Sequence, residues 1–113
     1  LVRGRIAAVR RKEYIAALEK LTALSPTPEN YAELAQMQME NGAFDDADHT
    51  LCAMEAQFPA NESAWLLRLQ FHVRQHHGAA VHRMVQTAPD TGIYFSKKGR
   101  EQIRFWSGET RTS

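Results

Sequence analysis

Three prolines divide the chain at near-equal intervals: Pro59 follows Pro26 by 33 residues, and Pro89 follows Pro59 by 30. Proline has no amide proton and a fixed φ, so it cannot continue a helix. Asn41-Gly42 and Gly78 add further breaks, where glycine can supply a left-handed helix end. Between these marks stand segments of about 10 to 15 residues with helical apolar spacing. Tyr31, Leu34, Ala35 and Gln38 fall at i, i+3, i+4 and i+7, the last of them polar, and Ala47, Leu51, Met54 and Phe58 lay a second stripe. Thr27 is a good N-cap, followed by proline in the favoured first turn. Asp45 and Asp46 sit where the positive end of a helix dipole favours them. No segment sustains strand alternation, so the chain is expected to be all-α, built of antiparallel helix hairpins.

A hairpin recurring near this period points to a stacked-repeat protein, because one hairpin cannot bury both its apolar faces without neighbours. Residues 28–61, PENYAELAQMQMENGAFDDADHTLCAMEAQFPAN, resemble a tetratricopeptide repeat over its full length. Tyr31, Leu34 and Ala35 take the aromatic, leucine and small positions of its first helix. Gly42 takes the place of the turn glycine, Phe44 the aromatic opening the second helix, Ala47 the small residue where the helices touch, Leu51 the large one after it, and Pro59 the closing proline. Gln38 departs where an aromatic is usual, and Met54 where alanine is usual; both imply altered local packing.

The flanks carry the resemblance less fully. A first repeat over 1–27 would place a helix at residues 1–10, a turn at RRKEYIAAL and a second helix with Tyr14 and Ala17 in the repeat's positions. A third, over 62–89, would be capped by Asn61, carry Trp65 in the aromatic position and Arg68 where leucine is expected, run to His77, end at Gly78 and continue in a short helix, 79–85. The resemblance thus implies a short right-handed solenoid over 1–89, with an ordinary antiparallel helical bundle as the alternative. In the tail, 90–113, Ser96 is expected to cap a helix of about ten residues ending near Trp106. Ile103 with Tyr94, Phe95 and Trp106 would give it an apolar side, and the final GETRTS is expected to fray. The tail reads as a terminal cap for the array, or else as a segment that docks a partner.

At 113 residues and 43% hydrophobic content, the chain fits one small domain. No apolar run approaches a membrane span. The chain opens LVRGRIAAV, without an initiator Met or a signal-peptide pattern, and reads as a piece of something longer. One cysteine, Cys52, excludes an internal disulfide framework and does not fix a compartment. Charge is arranged in blocks. Residues 1–27 carry six basic and two acidic side chains, 28–62 eight acidic and no Lys or Arg, and 63–113 eight basic and three acidic. Such blocks can complement one another when elements stack. Neither basic block has the density of a nucleic-acid arm, which disfavours nucleic acid as a partner.

The residue types that carry chemistry do not assemble into a reactive pattern. His72 and His76 share a helix face, with His77 and His82 nearby, but no carboxylate lies close in sequence, and zinc sites want three or four ligands with outer-shell support. His49 and Cys52 form a neighbouring pair without an orienting third group. There is no glycine-rich phosphate loop, nucleophile elbow or paired carboxylate. The sequence predicts neither enzyme nor cofactor.

Tetratricopeptide-like arrays bind protein segments in a groove lined by the first helix of each hairpin, and the resemblance implies the same here. Mapped onto this chain, the groove would present Arg3, Ile6 and Arg10, then Glu29, Ala32, Glu33, Gln36, Met39 and Glu40, then Leu66, Leu67, Gln70, Val73 and Arg74. Met39, Leu66 and Val73 could equally touch neighbouring helices. Val2, Ile6, Glu33 and Leu67 stand where a carboxylate clamp would need Lys, Arg and Asn, so binding of a chain-terminal carboxylate is not implied. An acidic centre with apolar walls suits a protein or peptide segment carrying Lys or Arg beside an apolar anchor. The alternative is a structural segment of a longer helical stack that packs on its parent chain or self-associates.

Overall fold

The helices Pro28–Glu40, Glu62–Arg74 and Lys97–Thr112 begin where a side chain satisfies a free amide, whereas Phe44–Gln57 and Gly78–Thr87 start without such a cap. Thr27 Oγ1 accepts from the Asn30 amide (3.2 Å) and Asn61 Oδ1 from the Ala64 amide (3.1 Å), starting two helices that have the same length and the same spacing as their caps. The computed structural model describes the backbone of residues 2–112 and the side chains of residues 7–108, and over these all regular structure is helical. The order is α1 (Val2–Leu24), α2 (Pro28–Glu40), α3 (Phe44–Gln57), α4 (Glu62–Arg74), α5 (Gly78–Thr87), a 3-10 turn (Ala88–Thr91) and α6 (Lys97–Thr112). No described helix is long and apolar enough to cross a membrane.

The elements from α2 to α5 repeat with one period. Pro28 and Glu62 open α2 and α4, and Phe44 and Gly78 open α3 and α5, each pair separated by 34 residue numbers. Consecutive helices pack on one another, and α2 also packs on α4. The core follows from this. Tyr31, Ala35, Met39, Ala47, Leu51, Met54, Ala64 and Phe71 form one buried cluster across α2, α3 and α4. Ala35 and Ala47 have no exposed surface, and their small size permits the close approach of the helices that carry them. Leu69, Val81 and Val85 form a second cluster, covered by Trp65, Val73, Met84, Ile103 and Trp106. Burying a residue such as Leu51 contributes about 1.5–3 kcal/mol.

The two departures in the middle segment have physical answers. Gln38 is buried, and its Oε1 accepts a hydrogen bond from the Thr50 hydroxyl at 2.6 Å. The polar side chain is therefore satisfied across the α2–α3 contact. Met54 is fully buried, its flexible stem filling the space that alanine would leave.

Three boundaries differ from the sequence expectation. First, α1 is continuous, with no turn at Arg10–Lys12, so residues 1–27 do not form a hairpin. The stretch from Arg5 to Leu24 holds neither Gly nor Pro and is rich in Ala, Leu, Arg, Lys and Glu, all strong helix formers. Tyr14 and Ala17 are exposed, and the inward residue there is Leu18. Second, α4 stops at Arg74, and Gly78 opens α5 instead of ending α4; the left-handed turn residue is His76. Third, α6 does not end near Trp106 but runs to Thr112, so 108–112 are helical; Ser113 lies outside the described residues. Ser96 caps α6 as expected, accepting from the Gly99 amide at 3.2 Å. Ile103 and Trp106 pack on the second cluster and Phe95 meets Trp65 edge-on, whereas Tyr94 is fully exposed and joins no apolar side.

Candidate functional site: a groove across three helices

α2 packs on α4, α6 packs on α5, and side-chain contacts tie the segment that runs from Phe95 into α6 to α4. Three contacts join α4 to α6 and the two residues before it: Glu62 to Ser96, Trp65 to Phe95, and Gln70 to Gln102. At the first, the Glu62 carboxylate accepts from both the amide and the hydroxyl of Ser96 (2.9 and 2.8 Å). Gly99 is buried beside it, and any Cβ there would run into that carboxylate. At the third, Gln70 Nε2 donates to Gln102 Oε1 at 3.0 Å.

The surface that these helices enclose is a groove of about 390 Å³. Ala32 and Gln36 line it from α2, Ser63, Leu66, Leu67 and Gln70 from α4, and Lys98 and Gln102 from α6. Its apolar part comes from Ala32, Leu66 and Leu67, and its polar part is mostly neutral amide. A second hollow of about 510 Å³ shares Gln70, Lys98 and Gln102 and continues over Glu101, Phe105 and Trp106. Phe105 is 58% exposed there, an aromatic face left open beside polar groups.

Of the residues expected at a binding groove, Gln36, Leu66 and Gln70 come together in it, with Ala32 and Leu67. Glu29, Glu33 and Glu40 are exposed on α2, but Glu33 accepts a hydrogen bond from the Tyr14 hydroxyl and so leans toward α1. Met39 requires correction. It is 3% exposed and belongs to the core, because the buried stripe of α2 runs Tyr31, Ala35, Met39 at steps of four. Val73 packs on the second cluster, and Arg74 is exposed in the last turn of α4. Arg10 is exposed on α1, while the side chains of Val2, Arg3 and Ile6 lie outside the described residues. The α6 wall was missed by sequence reasoning. Lys98, Glu101, Gln102 and Phe105 stand at i, i+3, i+4 and i+7, a spacing that marks one helix face and could have revealed it.

Charge on α3 and α4 is gathered around Arg68. Its guanidinium grips Glu55 with two bonds (Nε to Oε2 3.0 Å, Nη2 to Oε1 2.8 Å), reaches Asp48 Oδ1 at 2.7 Å and lies 5.0 Å from the Phe71 ring centre. The hydrogen bond from Arg68 holds the Asp48 carboxyl below its ordinary range. Glu55, and then Asp48, raise Arg68 in turn. This clamp fastens α3 to α4 where leucine was expected. His72 Nδ1 lies 3.3 Å from His77 Nδ1, so the paired histidine is His77, not His76. Burial first, then the charges of Arg68 and His77, lower the His72 pKa. His49 Nδ1 lies against the Asp45 carbonyl of its own helix (3.0 Å). Among the described residues, no three His, Cys, Asp or Glu side chains are placed to hold a metal.

No protein-family model, curated protein or solved structure matches the chain.

Proposed function

We propose that the chain is a protein-interaction module that holds a peptide or protein segment in the groove between α2, α4 and α6. The reading is carried by one observation: Gln36, Leu66 and Gln70, chosen from the sequence as groove residues, line a single hollow with Ala32, Leu67 and Lys98. Its support also includes the 34-residue spacing of α2 and α4 and of α3 and α5, which agrees with a tetratricopeptide-like solenoid. Apolar floor, neutral amides and few charges suit a segment that buries one or two apolar side chains and offers its backbone to the amides. Glu29 and Glu40 on one rim favour Lys or Arg in the ligand. Charge there sets orientation and association rate, because exposed pairs contribute only about 0–1 kcal/mol each. Leu66 and Leu67 supply the affinity.

The test is a panel of short synthetic peptides that vary basic and apolar positions, titrated against the chain. Leu66→Glu is expected to abolish binding of the best peptide, and Glu29→Lys with Glu40→Lys to weaken it in a salt-dependent way. Binding that survives Leu66→Glu and is lost on Arg10→Glu with Arg11→Glu would move the binding surface to α1 and overturn the reading.

A further inference from the structure

α1 has a second face that the fold leaves open. Leu18 and Thr22 turn inward and are 4% exposed. On the opposite side Val9 is 54% and Leu24 86% exposed, and Glu13, Ala16, Ala17 and Lys20 are exposed between them. At 100° per residue these six fall within an arc of about 100°, roughly opposite Leu18. Apolar residues thus occur on both sides of α1, which a helix with a single packing partner does not require.

The order along this face is apolar, acidic, alanine, alanine, basic, apolar. Reversed end for end, it complements itself: Glu13 meets Lys20, Val9 meets Leu24, and the alanines meet at the centre. Among the described residues, neither Glu13 nor Lys20 has an ion-pair partner within the chain. We infer that two copies of the chain pair antiparallel along α1, about a two-fold axis between Ala16 and Ala17. In such an interface each contact occurs twice, as symmetry demands. The alanines let the helix axes approach at the axis. Arg10 then lies beside Ala23 of the second copy rather than beside another cation. A parallel pair would set Glu13 against Glu13 and Lys20 against Lys20, so charge selects the antiparallel arrangement. From Val9 to Leu24 the seam is about 22 Å long, which places the pair in the small, weakly held class of interfaces.

The inference rests on no part of the groove reading. Its test is sedimentation equilibrium of the full 113-residue chain over a wide concentration range. The average mass is expected to rise from 12.8 kDa toward twice that value. Glu13→Lys and Lys20→Glu should each weaken self-association by about tenfold, since each sets like charges together at two places. An equimolar mixture of these two variants should restore association, because both contacts of the mixed pair are then between opposite charges. The double variant Glu13→Lys with Lys20→Glu should associate like the original, and Leu66→Glu should leave association unchanged. Circular dichroism checks that each variant is folded. A chain that stays monomeric at every concentration, or pairs equally well with either charge reversed, overturns the inference.

Discussion

Gly42 and His76 close the same turn 34 positions apart, both with left-handed backbone (φ 76° and 60°). The Gly42 amide bonds to the Met39 carbonyl and Ala43 to Gln38 (3.0 and 2.9 Å); His76 bonds to Val73 and His77 to His72 (3.1 and 2.9 Å). Glycine adopts this conformation freely, whereas an L side chain pays roughly 1–2 kcal/mol for it. The second turn is therefore built on a less suitable residue than the first.

His76→Gly is expected to stabilise the chain by about 1 kcal/mol, the relief of that strain less the added freedom of the unfolded chain. Gly42→Ala should cost about the same, since a Cβ there meets no neighbour and only the backbone suffers. Urea denaturation of both variants checks this pair. A neutral or destabilising His76→Gly would mean that the left-handed turn is not formed.

Leu51 and Ala47 test the α2–α3 contact from opposite directions. Both are wholly buried. Leu51→Ala should cost about 2–5 kcal/mol through lost burial and the cavity left behind. Ala47→Leu should cost about 1–3 kcal/mol through overpacking. Thermal unfolding reads both, and indifference to the second would show that the helices do not approach closely at Ala47.

The middle of the fold was legible because local rules and packing agree there. Thr27, Asn61 and Ser96 cap helices, and Phe44 opens one, because these positions depend on short-range geometry. Arg10–Lys12 misled because a repeat register was extended across residues whose own preference is unbroken helix. At Gly78 the rule that glycine ends helices competed with a turn that could use His76 instead. Met39 misled because a Met at the edge of a stripe reads equally as groove or core, and only the Phe71 contact cluster decides. The α6 wall and the Arg68 clamp are long-range pairings, and a single sequence does not register which distant carboxylates a lone arginine will find.

At the start of α6, the α4–α6 junction is held by one carboxylate. Glu62→Ala removes both bonds to Ser96 and should loosen the start of α6 more than the rest of the chain. Amide hydrogen exchange is expected to quicken over the first turns of α6, with protection in α2 and α3 unchanged. Uniform quickening throughout the chain would mean that Glu62 holds the whole fold and not this junction.

His72 makes stability depend on pH near neutrality. Its folded pKa lies below the ordinary 6.5, chiefly through burial. The unfolded chain therefore takes up the proton first, and stability falls as pH drops below about 6.5 toward the folded value. His72→Gln, which places there the residue found at position 38, should flatten this slope. Urea midpoints at about pH 7.5 and 5 compare the two chains. An equal loss in both would assign the slope to another group.

Arg68 sets a second, more acidic window. Arg68→Met keeps the apolar stem over Phe71 and removes the bonds to Glu55 and Asp48. The two carboxylates are 38% and 49% exposed and can rehydrate, so the cost at neutral pH is about 1–2 kcal/mol, less than for a fully buried pair. The Asp48 part of this has a definite sign. A carboxyl held below its unfolded value of 3.8 stabilises the fold fully above that pH, and the contribution is lost as pH falls through the folded value. With His72→Gln in both chains, to remove the repulsion between Arg68 and His72, the difference in stability made by Arg68→Met should therefore be constant from neutrality to about pH 5 and shrink below about pH 4. Denaturant titrations across that range measure it. A difference that persists undiminished at about pH 2 would show that Arg68 acts through the packing of its stem and not through its charge.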